Sequence, residues 1–440
     1  MQENTVQSGA YVTKTDLTDA GPFVTGLMLT LPEPVFQGAV RPDTFSVFVR
    51  RCDRHTGEII RLSKKAFSAE ALKEAADGAS QGWRSVSAAY PCDEQGRAVY
   101  ASDKVMLEMP YGPLEPLSSR AARKNAMQND FVDMQIRVTQ IAPIPGAPAC
   151  QGLVFDRCAG DLCPAFNGWQ FSEAVTQKTP LRYAWYAPEQ AAGEKRPLLI
   201  WLHGAGGGGA DPRYPVAGNR VTAFSSQPAQ KKLGSPWVYV PQCPTVWMDD
   251  GKGSPLMQSN NSVYIDCLKQ AIDAFIAEHE ASIDRSRIWV AGASNGGFMA
   301  VMQAMRFPGF YAAAVPVCEA VLTSAVTEAE LEALAQTPMW FVHAKNDFVV
   351  PPELTVVPLY EALKARGAPV HFTFLERIRD ESGRFCNADG TPFAYIPHFA
   401  WVPTYNDACS TDYDGRAVVV GGRAVTLQEW LGLQRRWAVK

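Results

Sequence analysis

A chain of 440 residues with 47% hydrophobic and 20% charged residues has the balance of a folded protein long enough for two domains, which excludes a disordered chain. A net charge of −4 supplies no basic excess for nucleic acid or an anionic membrane surface, and no apolar run reaches the roughly 18 residues of a spanning helix. The first residues have neither a positive start nor an apolar core, so no secretory leader is visible; the expectation is a cytoplasmic protein, unless a leader was removed before Met1.

Residues 1–141 read as an all-β region. Short β-rich runs recur at 23–30, 45–50, 82–87, 104–109 and 131–138, several alternating as strands with one wet face do. Polar turn signals at 54–57 and 93–96 stand between such runs. The stretch 68–76 reads as a helical insertion with Ser68 as its cap. Short strands joined by polar turns imply a small β-sandwich. Residues 142–149 contain Pro143, Pro145 and Pro148, too many for a helix, and are read as a linker to a second domain at 150–440.

Beyond about residue 180, strand runs alternate with helical patterns. That implies an α/β domain with a mostly parallel sheet and helices on both faces. The runs 263–275 and 427–434 are its clearest helix candidates. Cys243, Cys267 and Cys318 lie in apolar or helical contexts and read as buried thiols. Cys158 and Cys163 are close enough to bridge or to hold a metal, but no second Cys/His pair stands nearby to complete a zinc set, so no metal is expected.

At 199–209 an apolar strand runs through His203 into Gly204-Ala205-Gly206-Gly207-Gly208-Gly209. Such a turn can aim a backbone N–H at a developing oxyanion because nothing bulky blocks close approach. A phosphate cradle would end in Lys-Ser or Lys-Thr, whereas Ala210-Asp211-Pro212 follows here. His203 is read as a structural residue at the strand end.

The run 288–291 leads into Gly292-Ala293-Ser294-Asn295-Gly296 and then an apolar helix pattern. Strand, tight turn and helix with a serine at the turn form a nucleophile elbow, whose second oxyanion donor is the N–H of Asn295. Downstream, the strand 339–344 ends in a polar turn carrying Asp347. An acid there can orient a histidine; the bland reading is a helix cap, since a helix pattern starts near Pro351-Pro352. His343 is expected to pack near the site, too close to Asp347 along one strand to be its imidazole partner. His398 follows the acid, before an apolar helix start, in the order Ser…Asp…His. His55 and His279 stand in polar contexts and His371 starts a strand, which leaves His398 as the base.

These residues resemble α/β-hydrolase esterases of the predicted-peptidase type, near the polyhydroxybutyrate depolymerases and feruloyl esterases. The matching segments are Leu202-His203-Gly204, Val240-Pro241-Gln242-Cys243-Pro244 followed by Trp247, Gly292 to Gly297, Asn346 to Pro351, and Asp389 to Phe393 running into Pro397-His398-Phe399-Ala400-Trp401. The resemblance implies Ser294 as nucleophile, Asp347 as acid, His398 as base, oxyanion donors near Ala205 and at Asn295, and Trp247 as a cleft wall. One departure is Pro397, where relatives often have glycine. Glu319 and Phe399 are further candidates to line the cleft. A few related esterases carry an immunoglobulin-like domain at the N-terminus, and residues 1–141 look like one in pattern and position.

The implied reaction is hydrolysis of short-chain or carbohydrate-linked esters through an acyl-enzyme, with no metal or organic cofactor. Because a triad does not distinguish ester from amide, a serine peptidase of the prolyl-oligopeptidase-like type is an alternative, although the N-terminal region is too short for a gating propeller. A non-catalytic binding protein on a hydrolase fold is a second. A small-molecule or carbohydrate ester is the expected partner, with no nucleic acid and no membrane. For the N-terminal region, shaping the cleft, binding a polymer and homo-oligomer assembly all stay open.

Overall fold

The alternating runs near the N-terminus become strands of one hydrogen-bonded sheet. The computed structural model describes residues 7–60, 80–125, 127–174, 181–189, 193–253 and 256–436; the expected helical insertion at 68–76 lies outside them. The strands are β1 (Gln7–Thr18), β2 (Gly21–Phe36), β3 (Phe45–Asp53), β4 (Gln81–Arg84), β5 (Ala88–Pro91), β6 (Ala101–Glu108), β7 (Ala121–Arg123), β8 (Asn129–Gln140) and β9 (Leu153–Leu162). Their order is β4-β3-β8-β9-β1-β2-β6-β5, with β7 on β8. Val47 and Val49 of β3 share one buried cluster with Leu27 and Leu29 of β2 and Val105 and Leu107 of β6. Strands from both ends of the hydrogen-bonded path thus meet in one core, which gives an immunoglobulin-like sandwich rather than a flat sheet.

The boundary differs from the sequence reading. The chain divides into Met1–Asn125 with Asn129–Asn167, and Ala126–Gln128 with Gly168–Lys440. The proline-rich stretch at 142–149 is a loop within the first unit, because β9 beyond it pairs with β1 and β8. Prolines there stop β8 without ending the domain.

In the second unit the strands are β10 (Trp169–Ala174), β11 (Leu181–Tyr186), β12 (Arg196–Leu202), β13 (Trp237–Gln242), β14 (Ile283–Ala293), β15 (Ala313–Val317), β16 (Met339–Ala344) and β17 (Val370–Leu375). Their order is β10-β11-β13-β12-β14-β15-β16-β17. The pairs β10/β11 and β11/β13 are antiparallel, and every pair from β13 to β17 is parallel. Parallel strands covered on both faces read as continuous apolar runs; β12 is buried from Pro197 to Leu202 and β16 throughout.

The helix Ile265–Glu278 buries Leu268, Ala271, Ile272 and Phe275 at helical spacing, and the helix Asn295–Arg306 buries every residue from Asn295 to Met305. Each fully buried Leu, Phe or Met side chain contributes roughly 1.5–3 kcal/mol, so this second helix locks its N-terminal turn rigidly onto the sheet. No helix among the described residues is long and apolar enough to cross a membrane.

Candidate active site

Strand β14 ends at Ala293, and the helix Asn295–Arg306 starts at the next residue but one. Ser294 between them has φ 57° and ψ −116°, a conformation that costs a non-glycine residue about 1–3 kcal/mol and persists only where its surroundings impose it. Here they do. The Ser294 N–H donates to Val317 O at 2.8 Å and its carbonyl accepts from Phe298 N at 2.9 Å. Strand and helix approach so closely that a Cβ on Gly296 would sit 2.0 Å from Leu202 O.

Past the C-terminal end of β16, Asp347 stands in a tight turn. Its Oδ1 accepts from the N–H of Val349 at 2.8 Å and of Val350 at 3.1 Å. Its Oδ2 lies 2.7 Å from His398 Nδ1, and His398 Nε2 lies 2.9 Å from Ser294 Oγ. With a carboxylate at Nδ1, the ring carries its proton there and presents the Nε2 lone pair to the serine hydroxyl. Burial alone would raise the Asp347 carboxyl, but hydrogen bonds from His343 and His398 hold it well below the usual carboxylate range.

His343 packs near the site as expected, but it is not out of reach of the acid: its Nε2 lies 3.2 Å from Asp347 Oδ2. The turn after β16 curls back, so a residue four positions earlier does reach the acid.

On the other side of the serine, Ala205–Gly207 form a 3-10 turn beyond β12. A Cβ on Gly204 would lie 3.7 Å from Ser294 Cβ, which places this turn against the nucleophile. Ala205 opens the turn and Asn295 opens the helix, positions whose N–H groups have no acceptor within their own element. The turn is pinned from within. His203, fully buried, donates from Nδ1 to Gly204 O at 2.7 Å and accepts at Nε2 from Cys243 N at 3.2 Å. Burial pushes its imidazole down to about 4, so it stays uncharged. Gln242 donates to Gly207 O at 2.9 Å, and Gly209 N donates to Cys243 O at 2.9 Å. A Cβ on Gly208 would sit 1.7 Å from Thr245 O, so only glycine fits there.

Comparison with known proteins bears on the fold and family. Residues 10–148 match the esterase Ig-like N-terminal domain, and residues 187–382 match the phospholipase/carboxylesterase family. This protein is a serine hydrolase of the carboxylesterase type. Its fold is similar to that of a thermostable esterase, at 22% identity and TM-score 0.70, over 97% of this chain and 100% of that one. An acylaminoacyl peptidase from Pyrococcus horikoshii aligns over 48% of this chain and 37% of its own, at 15% identity and TM-score 0.36. No curated protein matches the chain.

Of the expected cleft residues, the hydrolase leaves surface only on Phe399. Trp247 and Glu319 are both fully buried. Trp247 packs on His203 with ring centroids 5.1 Å apart, and its backbone N–H donates to Asn295 Oδ1. It therefore ties the segment after β13 to the elbow from behind, a correction to its reading as a wall. Glu319 follows β15; one oxygen accepts from Val321 N at 2.6 Å and the other has no partner. Burial raises its carboxyl to about 8. Phe399, half-buried, continues a ring series with Tyr395 at 5.9 Å and Trp401 at 4.5 Å.

His398 is reached after an excursion from β17. The excursion is pinned at its base by buried Asp380, which accepts from Ser382 Oγ, the N–H groups of Arg384 and Phe385, and Tyr395 Oη. Its tip, closed by the pairing of Cys386 with Pro392, is exposed at 388–392. The expected thiols Cys243, Cys267 and Cys318 are buried and unbridged.

Proposed function

We propose that the protein is a serine carboxylesterase that hydrolyses short-chain or carbohydrate-linked esters through an acyl-enzyme on Ser294. The observation that carries this reading is the unbroken relay from Asp347 Oδ2 to His398 Nδ1 at 2.7 Å and from His398 Nε2 to Ser294 Oγ at 2.9 Å, on a strained elbow. As Ser294 Oγ attacks the ester carbonyl, His398 Nε2 takes its proton and Asp347 stabilises the resulting imidazolium. The N–H groups of Ala205 and Asn295 receive the oxyanion, which is usually the largest single contribution. The carbonyl reforms, the ester C–O bond breaks, and His398 returns the proton to the leaving alcohol. Water then repeats the cycle on the acyl-enzyme. The chemistry uses protein groups alone.

The test is hydrolysis of p-nitrophenyl acetate, butyrate and octanoate by wild type and Ser294→Ala, beside matched amides. Short-chain ester turnover lost in the variant is the expected result. An inactive wild type that a fluorophosphonate does not label would overturn the reading, and faster amide than ester turnover would redirect it to a peptidase.

A further inference from the structure

Asp347 accepts more hydrogen bonds than a triad acid needs, and one donor has no part in the relay just described. His343, the fifth residue of β16, is fully buried. Its Nε2 lies 3.0 Å from Val350 O, well aligned for a hydrogen bond, and 3.2 Å from Asp347 Oδ2. Both neighbours are acceptors, so a lone pair on Nε2 would be repelled by each of them. Nδ1 is buried without a partner among the described residues. Those two facts together put the ring proton on Nε2.

The Val350 peptide completes the arrangement. Its carbonyl accepts from His343, while its N–H donates to Asp347 Oδ1 at 3.1 Å. One imidazole thereby restrains both edges of the carboxylate: Oδ2 directly, and Oδ1 through the peptide it holds.

We infer that His343 is a positioning residue for the catalytic acid: its Nε2–H clamps the Asp347 carboxylate in the plane that His398 requires and shares the negative charge that would otherwise fall on His398 alone. The inference rests on the triad reading above and adds a second histidine to it. Three hydrogen bonds, from Val349 N, Val350 N and His398 Nδ1, together with the His343 N–H 3.2 Å from Oδ2, leave the carboxylate little freedom to rotate, and its bond to His398 Nδ1 keeps its direction as the ring becomes an imidazolium.

The remaining titratable groups facing Asp347 are few. His398 approaches from the loop before the helix Trp401–Tyr405, and the Cys318 thiol from the end of β15, where burial and then the Asp347 charge push it well above the usual thiol range. Glu319 stands next to Cys318 and is kept protonated by burial near neutral pH. With His343 gone, His398 is the one side chain among the described residues that hydrogen-bonds Oδ2. The charge then concentrates on His398, and the acid limb of kcat/KM moves to higher pH.

The test begins on wild type, with long-range ¹⁵N–¹H correlation of its six histidines. His343 is expected as the Nε2–H tautomer and His398 as Nδ1–H; an Nδ1–H signal for His343 overturns the proposal whatever the activity. The second arm compares His343→Leu with His343→Gln, whose amide N–H reaches about as far as Nε2–H. For His343→Leu, kcat on p-nitrophenyl butyrate falls roughly 10–100-fold with KM nearly unchanged. That is well short of the ~10⁴ lost when the acid no longer holds the imidazole in its working tautomer. The acid limb also moves up in pH. His343→Gln restores most of kcat and the wild-type profile. Wild-type kcat and pH profile in folded His343→Leu, or a folded His343→Gln no better than the leucine variant, overturns the inference. If the leucine variant does not fold, the tautomer and the glutamine profile decide. Failure of the esterase reading is separate: it appears as unchanged turnover in Ser294→Ala.

Discussion

The two flanks of Ser294 solve different problems with different materials. On the flank of 203–209 and 242–248, the proposed working groups are backbone N–H donors, and their supports are uncharged: His203 held at about 4, Gln242, Asn295, and glycines where a Cβ would collide. On the flank of 343–350 and 395–401, the working groups are ionisable side chains supported by shared charge, with Asp347 between His343 and His398. A donor that must meet a transient negative charge works best from a fixed neutral frame, which needs no reorganisation when the charge develops. A group that must move a proton needs a fixed charge nearby. The contrast teaches that a buried histidine near a triad has no fixed meaning, since His203 braces peptide groups and His343 grips a carboxylate.

Substitutions can break the contrast at graded depth. The largest effect falls where both flanks converge: Ser294→Ala lowers kcat by roughly 10⁵–10⁶ while the fold survives, read by ester turnover beside thermal melting. Asp347→Asn is next. It leaves an amide that can donate to His398 and so favours the wrong tautomer, which costs about 10⁴ in kcat. On the opposite flank, His203→Phe leaves Gly204 O and Cys243 N without their partner; turnover falls about 10²–10³ through the oxyanion donors. Stability falls by about 1–3 kcal/mol for each buried group left unpaired, measured by urea unfolding. If His203→Phe instead shifted the pH profile and spared kcat, the division between neutral and charged flanks would be wrong.

The smallest effect is on stability against pH, and two buried groups, His203 on the neutral flank and Glu319 after β15, differ in sign. Between pH 6.5 and about 4 the unfolded chain takes up a proton that folded His203 refuses, so stability falls as pH drops through that window. Folded Glu319 keeps a proton from pH 4.5 to about 8 that the unfolded chain releases, so stability falls as pH rises through that window. Glu319→Gln removes the second dependence. Its melting temperature exceeds that of wild type at pH 8–9 by on the order of a few °C, and the gap closes near pH 5. A constant gap across this range would show that Glu319 is ionised in the folded chain.

Much of the catalytic flankwork was legible because its chemistry demands particular residues at particular places. The glycines around Ser294 mark a strand and helix in near contact, and continuous apolar runs mark buried parallel strands. What stayed illegible depended on side-chain direction or on pairing between distant strands. The proline-rich stretch at 142–149 looked like a domain linker because nothing local reveals that β9 returns to pair with β1. His343 was misread because sequence spacing along a strand says nothing of a turn that curls back. Trp247 was expected at a cleft surface, but its ring lies inward against His203. His279, placed in a polar context, instead packs among Trp185, Trp237 and Phe275, with ring centroids 5.2, 4.7 and 4.6 Å away.

The excursion that leads to His398 has a consequence for how such a chain can vary. Its base is tied by Asp380 and Tyr395, and the imidazole packs against Trp401 of the helix Trp401–Tyr405, whereas the exposed tip at 388–392 is held, among the described residues, by its own short-range bonds. Length and composition at that tip are therefore insulated from the catalytic geometry. It is a natural graft point, where inserted sequence can acquire new contacts under selection, or accept a label or affinity handle in the laboratory, while the reaction centre two anchors away is left untouched.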